Sequence, residues 1–148
     1  MKIYAGYINL KAINGVIFPS YAQNQMNKEF ILNKLKGQFF LATNENTYGS
    51  NNIVLISLLK EKTIKGVVML STFSLPNNYK DRENIYKICL LNKKEIHFIF
   101  EDTILKKKKD IDKIEDLIIY NNDFFTKKKT SLTKFEEKIF KDNNWTLV

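Results

Sequence analysis

The hydrophobic pattern of the chain centres on one continuous apolar run, residues 66–70. An unbroken apolar run of this length is typical of a strand covered on both faces. Ser71, Thr72 and Ser74 follow it, and Pro76 ends the segment. A proline would not lie inside a central strand. The pattern therefore predicts a buried parallel strand that carries polar side chains at its carboxyl end.

Apolar runs and helical periods alternate along the first two thirds of the sequence. Strands are predicted over residues 2–8, 38–42, 66–70 and 95–101, and helices over residues 20–36, 53–60 and 79–91. Strands separated by helices indicate parallel pairing through crossover connections. We expect an α/β domain of three layers with a mostly parallel four-stranded sheet, either resolvase-like or flavodoxin-like.

The composition changes after residue 103. A lysine run at 106–109 precedes an amphipathic helix predicted over 110–120, and a second basic run covers 127–129. Thr133 and Glu136 have the spacing of a capping box that opens a last helix. A length of 148 residues fits one domain. We therefore predict a single domain over 1–148, with a core of about 1–104 and a helical C-terminal extension of about 105–148.

The overall composition indicates an ordinary globular protein. Hydrophobic residues make up 44% of the chain, and no apolar run approaches the roughly 20 residues of a membrane helix, so no membrane insertion is expected. The N-terminus lacks the apolar region of a signal peptide, and Cys89 is the only cysteine. These features favour a cytoplasmic protein without disulfides.

The net charge of +8 suggests nucleic acid as a partner, but the residue types weaken that interpretation. Arg82 is the only arginine, and arginine is the usual residue for bidentate contacts to phosphate and guanine. Any affinity for nucleic acid is therefore expected to lack sequence specificity. Homo-oligomer formation is left open.

The candidate site lies at the carboxyl edge of the predicted sheet, where parallel strands place their ligand crevice. A helix N-terminus at this edge suits an anion, and Arg82 would strengthen such a site. The candidate binding residues are Asn9, Ser20, Gln23, Asn24, Thr43, Ser71, Ser74 and Arg82.

Whether the site is catalytic is left open, with four candidate catalytic residues: Ser20, Ser71, His97 and Glu101. A helix N-cap is favoured for Ser20 because no base lies beside it in sequence. A structural role is favoured for His97, the only histidine, because it lies inside a predicted strand. One histidine and one cysteine make no zinc site, and no glycine-rich phosphate motif appears. No metal and no cofactor are expected.

Several short motifs occur in the order found in one small bacterial family. They are Gly6-Tyr7-Ile8, Gln23-Asn24, Leu41-Ala42-Thr43, Ser71-x-Phe73-x-Leu75-Pro76, and His97-Phe98 with Glu101. On these motifs, which span residues 4 to about 102, the chain resembles the sporadic carbohydrate cluster proteins, encoded beside genes for surface-sugar and glycolipid assembly. The resemblance implies a role in surface-carbohydrate biosynthesis and a small anionic sugar or nucleotide-sugar as ligand. Asn44 stands where that family has an acidic residue, and Glu45 follows it, which leaves a carboxylate role in this loop open.

The element order, with Gly6-Tyr7 and Gln23-Asn24, is also distantly similar to the catalytic domain of resolvase-type serine recombinases. Those enzymes need a serine just after the first strand and several arginines around the scissile phosphate. Here Asn9-Leu10-Lys11 follows the first strand, and Arg82 is the single guanidinium group available to stabilise transition-state charge. The resemblance therefore implies a shared fold without strand cleavage. Two alternatives stay open: a nucleic-acid-binding or recombinase-derived module, and a non-catalytic partner of a neighbouring sugar enzyme.

Overall fold

The computed structural model describes residues 1–45 and 52–121. The chain divides into two units between Ile114 and Glu115, and the whole sheet belongs to the first. The second basic run and the helix predicted from Thr133 lie outside the described residues. The division of the chain at about residue 104 stays a prediction.

The sheet has five strands: β1 (Ile3–Gly6), β2 (Gln38–Leu41), β3 (Gly66–Met69), β4 (Glu95–Phe98) and β5 (Thr103–Leu105). Their order is β2-β1-β3-β4-β5, in which β1 to β4 are parallel and β5 pairs antiparallel with β4. The predicted α/β class with a mostly parallel sheet is confirmed. The predicted number of four strands was wrong. After β4 the chain reverses direction at residues 99–102, where Asp102 has φ 48°, and it then forms β5, a strand of only three residues.

Three helices follow the strands in the order that the sequence predicts. They are α1 (Ser20–Glu29), which continues as a π-helical turn over Phe30–Lys34, α2 (Ile53–Lys60) and α3 (Tyr79–Leu91). A further helical segment covers 109–121. Right-handed crossovers place α1 on one face of the sheet and α2 and α3 on the other. In the described part of the chain, no helix has the length and apolar character needed to cross a membrane.

Two glycines let neighbouring segments approach the sheet closely. A Cβ at Gly66 would lie 2.5 Å from the carbonyl oxygen of Glu95, so β3 and β4 pair there only without a side chain. A Cβ at Gly6 would lie 2.8 Å from the Phe39 ring and 3.1 Å from Cβ of Asn27. The second contact shows that α1 sits close over the end of β1, and this brings polar residues of α1 to the carboxyl edge.

Candidate functional site

The strand order places a crevice between the carboxyl ends of β1 and β3. The chain leaves β1 toward β2 on one side, and leaves β3 toward β4 on the other. This reversal is the topological switch point, the usual ligand position in open α/β sheets. The crevice is therefore formed by the residues that follow β1 and β3.

Three of the predicted binding residues meet there. Gln23, on α1, is 1% exposed, and its amide nitrogen donates to the carbonyl oxygens of Asn9 (2.9 Å) and Phe18 (2.8 Å). The Asn9 side-chain amide donates to the Ser74 carbonyl oxygen at 3.3 Å. These bonds join the loop after β1, helix α1 and the loop after β3.

Two cations hold consecutive carbonyl groups of the loop after β3. The Lys11 ammonium donates to the carbonyl oxygen of Leu75 at 2.5 Å. Arg82 donates from Nη1 to the carbonyl oxygens of Pro76 (3.1 Å) and Asn77 (2.8 Å). Burial, and secondly the charge of Arg82, lower the pKa of Lys11 to about 8. Two like charges are thus held close together at the switch point.

Sequence reasoning missed Lys11 as part of the site. Lysine and arginine together number 24, so one more lysine carries little information by itself. Its position two residues after Asn9, at the carboxyl end of β1, is the signal that would have found it. The contact that defines it, with Leu75, lies 64 residues away along the chain.

Ser71 and Glu101, two of the candidate catalytic residues, are hydrogen-bonded to each other. The Ser71 hydroxyl donates to the Glu101 carboxylate at 2.7 Å and accepts the N–H of Phe73 at 3.1 Å. Thr72 also donates to this carboxylate, from its N–H (2.5 Å) and its hydroxyl (2.9 Å). Ser71 is 2% exposed. The geometry supports a structural role, in which Glu101 ties the end of β3 to the turn between β4 and β5.

Ser20 is the first residue of α1, and the N-cap position is taken by Pro19, without a side-chain cap. The predicted N-cap role of Ser20 was therefore wrong, since the helix begins one residue earlier than that role requires. The Ser20 hydroxyl instead accepts from the Asn44 side-chain amide at 2.7 Å. Thr43 is exposed next to Asn44.

The amide oxygens of Asn24 and Asn27 are buried on α1 without a hydrogen-bond donor in the described part of the chain. Asn27 uses its nitrogen to donate to the carbonyl oxygen of Tyr7 at 3.1 Å. Buried carbonyl oxygens normally accept a hydrogen bond. Both oxygens can therefore accept a further hydrogen bond.

His97 lies in the interior, on the face of the sheet below α1. Its Nε2 is 3.0 Å from the Glu95 carboxylate, and its ring makes edge contacts with Tyr4 and Phe30. Burial lowers the pKa of His97, so the neutral ring donates to Glu95 at neutral pH. No contact between His97 and the crevice side chains is found in residues 1–45 and 52–121, which supports a structural role.

No group of three histidine, cysteine, aspartate or glutamate side chains within 1–45 and 52–121 has a geometry that could hold a metal ion. The crevice instead offers cations, amides and carbonyl groups. This donor set suits an anionic ligand with hydroxyl groups.

The fold is resolvase-like. The structure is similar to the N-terminal catalytic domain of TP901-1 integrase, with a TM-score of 0.56 and 13% sequence identity, over 93% of this chain and 98% of that one. The resolvase-like form of the predicted fold is thereby confirmed. No protein-family model matches the sequence, and no curated protein sequence matches it.

Proposed function

We propose that the chain binds a small anionic ligand, a sugar phosphate or nucleotide-sugar, at the carboxyl edge of the sheet. The observation that carries this proposal is the half-buried Lys11 ammonium, which donates to the carbonyl oxygen of Leu75 next to the carbonyl groups held by Arg82. The Lys11 ammonium is half-buried and therefore incompletely solvated. An anion placed against it offsets that desolvation and forms a charge-assisted hydrogen bond.

The sugar part of the proposal is supported by a neutral polar group on α1. Asn24 lies one residue from the buried Gln23, and its amide oxygen lacks a donor within the described residues. A sugar hydroxyl is a donor that satisfies such an oxygen. The sequence resemblance to carbohydrate cluster proteins agrees with this ligand class and supports a place in surface-carbohydrate biosynthesis.

Ligand screening by thermal shift, followed by calorimetry, tests the proposal. Sugar phosphates, nucleotide-sugars and inorganic phosphate are compared with the same sugars without phosphate. A ligand that binds the folded chain raises the melting temperature, and the rise grows with the ratio of ligand concentration to Kd. We expect only the phosphorylated compounds to do so, and Lys11→Met to weaken their binding about tenfold or more, equal to about 1.4 kcal/mol.

Lys28→Met is the matched control, because Lys28 is exposed on α1 and has no side-chain partner within the described residues. It should leave the affinity unchanged. An equal loss of affinity in both variants would show general attraction to a basic protein. Absence of binding by every phosphorylated compound would contradict the proposal outright.

A nucleic-acid-binding, recombinase-derived module is the second candidate function. It is favoured by the likeness to an integrase catalytic domain. Against strand cleavage, Ser71 is buried and the Arg82 guanidinium holds two loop carbonyls, so Ser20 is the remaining partly exposed candidate nucleophile. The second candidate function is therefore the binding of nucleic acid. Strand cleavage would in addition require Ser20 to act as the nucleophile.

A labelled duplex titrated at roughly 50 and 200 mM salt separates the two candidates. A protein making 6–10 phosphate contacts loses ~10³-fold or more in affinity over that range. We expect weak binding that disappears at the higher salt concentration. Sequence-selective binding that persists, or strand cleavage abolished by Ser20→Ala, would favour the recombinase-derived function instead.

A further inference from the structure

The edge of the sheet opposite the crevice contains a second hollow. It has a volume of about 290 Å³ and lies where β1 begins and where the loops before β3 and β4 pass. Its charged lining consists of five lysines from three segments of the chain: Lys2, Lys62, Lys65, Lys93 and Lys94. We call it the amino-edge hollow.

Lys94 is a buried cation in the wall of this hollow. It is 8% exposed, and its ammonium donates to the carbonyl oxygens of Glu61 and Ile64. An ammonium has three N–H donors. Within the residues that the structure describes, the third has no acceptor, and no carboxylate lies within ion-pair distance. Lys94 therefore brings an uncompensated charge and a spare donor.

The remaining lysines of the hollow add to this charge. Lys65 lies 4.0 Å from the buried Glu95 carboxylate, which His97 and Lys106 also contact. Lys2, Lys62 and Lys93 have no ion-pair partner over 1–45 and 52–121. The Glu61 carboxylate accepts from Thr63. Positive charge is thus in clear excess around the hollow.

Stabilisation of helix ends explains only part of this cluster. Cations near the C-terminus of a helix interact favourably with its dipole, which accounts for Lys62 after α2 and Lys93 after α3. Lys2 and Lys65 lie beside strands, where no such dipole acts. Burial of the Lys94 ammonium costs free energy unless its charge is compensated.

We propose that the amino-edge hollow binds an anion with two linked phosphate groups, of the class of inorganic pyrophosphate and nucleoside diphosphates. Ammonium groups from three segments surround the hollow, so a ligand needs several charged oxygens to reach more than one segment. Two linked phosphate groups supply these within a small volume. The site is independent of the anion site proposed at the carboxyl edge.

Calorimetric titration of the full chain with inorganic pyrophosphate tests this site. The test variant combines Lys62→Gln with Lys93→Asn; Lys93 has φ 56°, and asparagine tolerates that backbone conformation better than most residues. We expect a loss of affinity of about tenfold or more, a factor that corresponds to about 1.4 kcal/mol. Lys28→Gln should bind pyrophosphate like the unmodified chain, and Lys11→Met shows whether pyrophosphate binds at the carboxyl edge instead.

Four outcomes would overturn the proposal: unchanged affinity in the double variant, an equal loss in Lys28→Gln, a selective loss in Lys11→Met, or no pyrophosphate binding. Selective loss in Lys11→Met would assign pyrophosphate to the carboxyl edge and leave the proposed function intact. A nucleoside diphosphate that binds as tightly as pyrophosphate, with the same dependence on Lys62 and Lys93, would support the proposal. If the binding of a DNA duplex depended on Lys62 and Lys93 while the binding of pyrophosphate did not, nucleic acid would replace the diphosphate as the proposed ligand of the hollow.

Discussion

The hydroxyl of Tyr7 donates to the carboxylate of Glu45 at 2.9 Å. The same carboxylate accepts the backbone N–H groups of Val54 and Leu55, each at 3.1 Å, in the first turn of α2. These N–H groups have no partner within the helix, and they lie at the positive end of its dipole. Burial and the nearby Glu45 charge raise the pKa of Tyr7, which keeps its hydroxyl protonated as a donor. Glu45 thus joins the end of β1 to the start of α2.

Glu45→Gln should destabilise the protein by about 1–3 kcal/mol, because hydrogen bonds to a charged group are lost in a buried position. Tyr7→Phe should cost about 1 kcal/mol. Urea unfolding monitored by circular dichroism measures both. Glu29→Gln, at an exposed position, is the control and should stay within about 0.5 kcal/mol. Equal effects of Glu45→Gln and Glu29→Gln would contradict the capping role.

The bounds of α2 and α3 agree with the sequence pattern because local signals set them. Residues 53–60 form one apolar helical segment, and Asn78 caps α3 by accepting the N–H of Lys80 at 2.8 Å. Strand β5 was missed because three residues are too few to show an alternating apolar and polar pattern. Its pairing with β4 also depends on the preceding turn. Strand β3 was recognisable because burial on both faces leaves a continuous apolar run.

The candidate site was only partly predictable, since its position follows from topology but its contacts do not. Alternating strands and helices place Asn9, Gln23 and Ser74 at one edge, and the structure joins them. Lys11 and Arg82 are brought to neighbouring carbonyl groups by the path of the loop after β3, for which the sequence has no local signal. The carboxylate role of Glu45 was left open for the same reason, because the helix that it caps begins eight residues later.

His97→Gln should flatten the pH dependence of stability between about pH 5 and 7. Burial lowers the pKa of His97 below the unfolded value of about 6.5, so the unfolded chain binds the extra proton more readily. Stability therefore falls as the pH drops below about 6.5. Glutamine keeps a donor for Glu95 and does not titrate.

Urea midpoints at about pH 5, 6, 7 and 8 measure this effect. Glu95 adds a fall in stability at lower pH. Burial raises its pKa, but the hydrogen bond from His97 and the charges of nearby cations outweigh burial and lower it. That contribution is present above the unfolded pKa of glutamate and is lost on further acidification. A slope between pH 5 and 7 that is identical in both proteins would contradict the role given to His97.

Glu101→Gln should destabilise the fold by about 1–3 kcal/mol, because its carboxylate accepts bonds from Ser71 and Thr72 that an amide only partly replaces. Ser71→Ala should have a smaller effect, about 1 kcal/mol. Chemical denaturation measures the loss, and affinity for phosphorylated ligands should remain. Loss of ligand binding in a Glu101→Gln protein of normal stability would place the pair in the binding site instead.

Affinity for a phosphorylated ligand should fall as the pH rises above about 8. Lys11 loses its proton there, since burial and Arg82 lower its pKa to about 8, whereas an anion favours the charged ammonium. Phosphate monoesters are already fully ionised, with a second pKa of about 6. Calorimetry at about pH 8.5, in two buffers of different ionisation enthalpy, should detect proton uptake on binding. The uptake should vanish in Lys11→Met. An affinity that does not change between about pH 7 and 9.5 would contradict the assignment.

Arg82→Ala should lower both stability and ligand affinity. Arg82 is 9% exposed and holds the carbonyl groups of Pro76 and Asn77, so its loss should cost about 1–3 kcal/mol of stability. It should also weaken binding about tenfold or more, equal to about 1.4 kcal/mol. Arg82→Lys keeps the charge but lacks the planar fork, and should recover affinity more than stability. Lys80→Ala, exposed on the same helix, is the control. A destabilised Arg82→Ala protein that keeps full affinity would make Arg82 purely structural, and the proposed site would then rest on Lys11.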